Sequence, residues 1–168
     1  IRNGDATTAT TGRWLVDASG RNRMLPRQLG LKRGNGHACN SAWLRVAAEI
    51  DVGRWSDDPA WQGRLVEGDR AMSTNHLMGE GYWVWLIRLA SGATSVGIVA
   101  DPTFHAFDEF NTLAKAKALL GEHEPQSAAT LAANEHLIMD FRVMKRHSHG
   151  VAEAFDGSER WAITGDCG

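Results

Sequence analysis

The chain has 168 residues, 43% of them hydrophobic and 23% charged, with a formal net charge of −2. That is enough for one folded domain with a sizeable core and too little for two generous ones. The near-neutral balance argues against nucleic acid as a partner, because such proteins carry a basic stripe. No apolar run approaches the roughly 18 residues of a membrane span.

Residues 1–12 are small and polar, with Gly4-Asp5 as a hairpin tip. "RWLVDASGR" (13–21) predicts a short buried strand, Trp14 to Val16, running into a glycine turn. "NRMLPRQLGLKR" reads as a short helix or turn broken by Pro26 and Gly30, and "GNGHACNS" as loop. In "AWLRVAAEIDV" (42–52), Trp43, Arg45 and Ala47 alternate with Leu44, Val46 and Ala48, as on a strand, while the alanines keep a helix in competition. Residues 53–79 carry Gly, Asp and Pro punctuation and read as a long irregular connection, a kind of segment often functional in compact domains.

"YWVWLIRLA" and "TSVGIVAD" then predict two strands joined through "SG" in a tight hairpin. Residues 108–121 have helical spacing at Leu113, Ala116, Leu119 and Leu120, with Asp108 as cap and a glycine stop. A second helix, "PQSAATLAANEHLI", enters at Pro125 with Gln126 or Ser127 near its cap. "DFRVMKRHSH" alternates again; its basic patch, Arg142 to His149, is interleaved with apolar residues as on a half-exposed strand. The last strand is "RWAITG". The expected fold is α+β, a largely antiparallel sheet faced by helices.

"GNGHAC" and "GEGYWV" begin Gly-x-Gly but lack the third glycine and the strand–turn–helix setting of a dinucleotide fingerprint. His147 and His149 can share a strand face, yet His37, Cys39 and His76 supply no third ligand at a recognised spacing, so no metal site is assigned. There is no Gly-x-Ser-x-Gly, and the paired acids sit in loop or cap contexts. Cys39 and Cys167, the only two cysteines, read as reduced thiols of a cytoplasmic protein. Trp83 and Trp85 share one sheet face with Val84 and Leu86 on the other; core packing and a binding wall both account for such a stripe.

Three segments in order, "GRWLVDASGR", "GEGYWVWLIRL" and "WAITGDCG", resemble the flavin-dependent halogenases and their monooxygenase relatives, which share the p-hydroxybenzoate-hydroxylase-like FAD fold. The first is similar to the family's strand-and-turn segment with an Asp-x-x-Gly variant. The second is similar to its Trp-x-Trp-x-Ile-Pro signature, with Arg88 following Ile87 where the pattern has proline. The third is similar to its Gly-Asp segment, a strand end that meets the ribityl chain of FAD.

The resemblance implies that Asp166 hydrogen-bonds a ribityl hydroxyl and that Gly165 allows close backbone approach. It implies that Asp17 and Gly20 support the cofactor region less directly. Trp83 and Trp85 would stand near the flavin and keep substrate from direct oxygenation. The family's catalytic lysine falls outside this chain, whose ends read as cuts in a longer polypeptide. The implied division is a fragment of the FAD-binding domain (1–40), a substrate-side sheet with helices (41–158), and the start of a returning FAD segment (159–168). The implied activity is oxidation or halogenation of an aromatic or other electron-rich small molecule through a flavin hydroperoxide. A flavin reductase is admitted as the supplier of reduced flavin. The competing reading is a non-catalytic binding module with an aromatic-lined sheet face.

Overall fold

The computed structural model describes residues 2, 3, 5–64 and 70–168. In chain order its strands are β1 (Arg2–Asn3), β2 (Ala6–Thr7), β3 (Leu15–Asp17), β4 (Lys32–Arg33), β5 (Asn40–Val46), β6 (Asn75–Gly79), β7 (Tyr82–Arg88), β8 (Thr94–Ala100), β9 (Ile138–Met144), β10 (Gly150–Val151), β11 (Phe155–Asp156) and β12 (Trp161–Ile163). The helices are α1 (Met24–Gln28), α2 (Pro59–Gln62), α3 (Leu113–His123) and α4 (Pro125–Ala133). Two compact units share these elements, one made of residues 1–37 with 148–168 and one of residues 38–147.

The second unit is a five-stranded sheet in the order β6-β7-β8-β5-β9, every neighbouring pair antiparallel. The two-residue period of a strand sends Val84 and Leu86 of β7 to the same face as Leu44, Val46, Val96 and Ile98. There they are buried in one cluster with Phe110 and with Leu119, Leu120 and Leu131 of the helices. β8 is buried along almost its whole length because it is the central strand. The α+β arrangement of antiparallel sheet and facing helices is the one expected.

The β7–β8 connection closes through Leu89 N to Ala93 O (2.8 Å) and Gly92 N to Leu89 O (2.9 Å). Gly92 takes φ 84°, a conformation glycine adopts without steric cost. The segment expected to be irregular contains the edge strand β6, which pairs with β7 from Asn75↔Leu86 to Gly79↔Tyr82.

Helix boundaries differ from expectation in an instructive way. Thr112, not Asp108, caps α3, its Oγ1 accepting from Lys115 N at 3.3 Å, while Asp108 sits in a preceding 3₁₀ turn. Gly121 does not stop the helix, which runs on to His123. The stop is Pro125, whose ring disfavours helical backbone at the residue before it; Glu124 accordingly leaves the helix at φ −134°, ψ 66°. The same proline opens α4, where a missing N–H costs nothing. For that reason too Pro26 does not break α1: it lies in the first turn of that helix.

In the first unit, β12 lies between β11 (antiparallel) and β3 (parallel), with Trp161↔Leu15, Ala162↔Val16 and Ile163↔Asp17 in register. β4 pairs with β10, and β1 with β2. Asp5 lies in the turn between β1 and β2; Gly4 of the expected hairpin tip is outside the described residues. Residues 148–158, placed by the sequence reading with the sheet domain, join this unit through Gly150↔Arg33 and Phe155↔Ala162. The strand expected to be buried over Trp14 to Val16 is exposed instead: Trp14 53%, Leu15 48% and Val16 58%. β3 is paired along one edge only, and of its three residues Leu15 and Val16 are exposed while Asp17 is buried.

Candidate functional site

β3 ends at Asp17, which is 1% exposed. Its carboxylate accepts hydrogen bonds from Ser19 N at 2.8 Å and Leu25 N at 2.6 Å. Ser19 Oγ accepts from Met24 N at 2.9 Å. Two side chains of the turn thus satisfy the open N–H groups at the start of α1, which has no cap of its own because Arg23 fills the cap position in a left-handed conformation. Arg23 is held there by a bond from Nη2 to Gly150 O, 2.7 Å. Gly20, in the middle of the turn, takes φ 56°.

The parallel pairing brings a second turn alongside. Thr164 N donates to Asp17 O at 3.0 Å, and Gly165 then turns the chain at φ 62° into the 3₁₀ segment Gly165–Cys167. Cys167 has no exposed surface, and its Sγ lies 3.6 Å from Ser19 Oγ. The thiol donates to the Asp17 carboxylate. Burial works to raise the Asp17 pKa, but hydrogen bonds from Cys167, Ser19 and the Leu25 and Ser19 amides outweigh it and hold the carboxyl well below the usual range. Burial, and then the Asp17 carboxylate, push the Cys167 thiol the other way, upward.

"DASG" and "GDCG" therefore form one substructure at the carboxyl ends of two adjacent parallel strands, the kind of strand end where open α/β sheets bind ligands. Of the four residues singled out on the cofactor side, Asp17 is the brace inside it. Gly20, Gly165 and Asp166 form its surface. A Cβ built on Gly20 or Gly165 would meet nothing within 4 Å, so the backbone there is open to approach. Asp166 is exposed, and its carbonyl oxygen, which can only accept, lies 2.9 Å from His149 Nε2; that nitrogen is therefore the donor.

Ser19 and Cys167 were not singled out from sequence, because their roles arise from pairing between segments at opposite ends of the chain. The one local hint was that Cys167 adjoins the Gly165-Asp166 turn.

Trp83 and Trp85 lie in the second unit, on the sheet face turned away from the helices, and both are half-buried. Register makes a row across all five strands: His76, Trp85, Gly97, Trp43 and Arg142. Beside it runs a second row, Met78, Trp83, Val99, Ser41 and Met144. The helix-covered core is on the opposite face, so the tryptophan pair is not part of it. Trp85 Nε1 donates to Ser95 Oγ at 3.1 Å. Arg88, standing where the halogenase pattern has proline, closes the strand with an ion pair to Glu49 at 2.8 Å. Lys117 pairs with Glu135 at 2.6 Å, and Lys145 Nζ sits 4.7 Å from the centre of the Phe107 ring. Among the described residues no group of three or more His, Cys, Asp or Glu could hold a metal ion, and no helix is long and apolar enough to cross a membrane.

No protein-family model matches the chain. It is 27% identical over 166 residues to the flavin-dependent halogenase chlA of Dictyostelium discoideum, covering 95% of this chain and 26% of that protein. Among solved structures, the halogenase PltM superposes with a TM-score of 0.64 at 17% identity, over 98% of this chain and 33% of its own. PltM has also been solved in complex with phloroglucinol and FAD. A flavoprotein/dehydrogenase from Cytophaga hutchinsonii superposes with a TM-score of 0.60 at 22% identity, over 92% of this chain and 34% of its own. The chain thus spans about a quarter of the curated relative and about a third of these structures. It resembles the flavin-dependent halogenases in sequence along nearly its whole length, and it has the fold of a segment of those enzymes and their flavoprotein relatives.

Proposed function

We propose that this chain is part of an FAD-dependent oxidoreductase of halogenase type, acting on an aromatic or other electron-rich small molecule. The observation that carries the reading is the joined pair of turns, with Gly165 and Asp166 exposed on a frame that Asp17, Ser19 and Cys167 hold from below. These residues fit a ribityl chain. Asp166 offers a free-facing carboxylate to a hydroxyl, and the open backbone at Gly165 and Gly20 lets a ligand come close. Bound FAD would supply oxygen activation, its oxidising equivalent passing to a halide or directly to the substrate. Trp83 and Trp85 would form an aromatic wall on the substrate side, with Trp85 locked over Gly97 by its bond to Ser95. In the whole enzyme, reduced flavin would come from a separate reductase.

The test is made on the full-length product of the gene. Purified in its native state it should carry FAD, and Asp166→Ala should weaken FAD retention roughly tenfold, the loss of a charge-assisted hydrogen bond. Trp83→Ala and Trp85→Ala should leave flavin content unchanged and alter rate or product type. A colourless protein that still binds small aromatics would replace this reading with the non-catalytic binding module.

A further inference from the structure

The loop between β4 and β5 carries "GNGHAC", a stretch to which the flavin reading gives no role. Asn35, Gly36 and His37 are exposed and belong to the first unit. His37 N donates to Asn35 Oδ1 at 3.1 Å, an Asx turn that folds the side chain back along its own main chain toward the Gly36 amide. A backbone N–H can only donate, so this bond also fixes which end of the side-chain amide is oxygen. Nδ2 therefore faces the returning chain and donates to Ser148 Oγ at 2.5 Å.

The two segments are held together beside this bond. Arg33 pairs with Gly150, and Ala152 N donates to Leu31 O at 2.8 Å. Gly36 takes φ 77°, and a Cβ built there would meet nothing within 4 Å, so the space beside its amide is open. A backbone nitrogen without a flanking side chain, a donor on the amide oxygen and a hydroxyl on the amide nitrogen are the three groups that closure of an asparagine side chain onto its own main chain requires.

We propose that Asn35 is a self-modification site, at which the folded chain promotes loss of its own side-chain amide. The Gly36 nitrogen attacks Asn35 Cγ, gives up its proton to water, and forms the new C–N bond of a five-membered imide. The His37 N–H meets the negative charge that gathers on Oδ1. As the carbonyl re-forms, the Cγ–Nδ2 bond breaks with its electron pair on nitrogen, which takes a proton from Ser148 Oγ and leaves as ammonia; water returns a proton to the hydroxyl. Water then opens the imide, at one carbonyl to an aspartate and at the other to an isoaspartyl link. Either product adds one negative charge to the loop. The isoaspartyl form also lengthens the connection between β4 and β5 by one methylene. Only water is consumed, and the site does not depend on the flavin reading, so either can fail alone.

The full-length product of the gene, aged at mildly alkaline pH and followed by peptide mass mapping that separates asparaginyl, aspartyl and isoaspartyl forms, provides the test. Asn35 should react roughly tenfold faster in the native protein than in urea, where sequence alone acts. That is less than the hundredfold or more of a positioned catalytic acid, because water competes at an exposed site. Ser148→Ala should remove most of this acceleration and Ser148→Thr, which keeps a hydroxyl, should retain it, with neither substitution changing the rate in urea. A native rate equal to or below the rate in urea, or a folded Ser148→Ala variant as fast as the parent, would overturn it.

Discussion

Trp85 and Gly97 face each other across β7 and β8, and the indole ring occupies the space that a side chain at Gly97 would need. Trp43 stands opposite the same glycine on β5, so one missing side chain makes room in the middle of an aromatic row. Gly97→Ala should drive the Trp85 ring off its seat and break its bond to Ser95, costing roughly 1–3 kcal/mol as overpacking does. Urea unfolding reads the loss. In a Trp85→Ala background the same glycine change should be nearly neutral, and strictly additive effects of the two substitutions would refute the contact as the cause.

Asp17 should be the most acid-sensitive group of the first unit. Its folded pKa is held below the unfolded one, so its contribution is complete above the ordinary aspartate pKa of about 3.9 and is lost as pH falls from there toward the folded value. Asp17→Asn places an amide donor against a backbone donor, either Leu25 N or Ser19 N, and should cost roughly 2–4 kcal/mol at neutral pH. Equilibrium unfolding of both proteins between neutral pH and strong acid checks this. The gap between them should close as pH drops below about 4; a gap independent of pH would mean that the carboxylate charge is irrelevant.

Both thiols should be silent in the native protein. Cys39 and Cys167 are buried, and burial is the largest of the effects raising their pKa values, so the reactive thiolate is scarce at neutral pH. A thiol reagent such as an aromatic disulfide should label neither cysteine in buffer and both in denaturant. A Cys167→Ser variant should preserve the Asp17 hydrogen bond and remain folded. Cys167→Ala should destabilise more, since it removes a donor from a buried carboxylate.

Features that depend on a short stretch of chain were legible in the sequence. The β7–β8 hairpin announced itself through its central glycine, and the alternation Tyr82 to Leu86 put Trp83 and Trp85 on one face and Val84 on the other. β6 was not legible because Asn-His-Leu-Met-Gly has little strand propensity; it is a strand because β7 offers it an edge. The end of α3 was misplaced because Gly121 is a weaker stop signal than the restriction that Pro125 imposes on Glu124. The Asp17–Ser19–Cys167 brace was hidden for a further reason: parallel strands join segments far apart in the chain, and no periodicity encodes such a partner.

The chain's single tyrosine, Tyr82, makes one ionisation separately observable. Its hydroxyl donates to Glu124 Oε1 at 2.8 Å, and its ring stands against His105 and His123, with centroids 5.4 and 5.2 Å away. Burial first, then the hydrogen bond and charge of Glu124, push its pKa up to about 12. Absorbance of the tyrosinate during an alkaline titration should therefore show a midpoint near that value and not near the ordinary 10 or so. Glu124→Gln removes the charge, retains an acceptor, and should lower the midpoint without abolishing the shift that burial causes. Because the folded pKa is the higher one, Tyr82 contributes stability below about pH 10 that is lost as pH rises toward the folded value. Tyr82→Phe should accordingly flatten the alkaline limb of the stability profile, and a parent protein whose tyrosine titrates at its ordinary pKa while still folded would show that the Glu124 bond does not hold in solution.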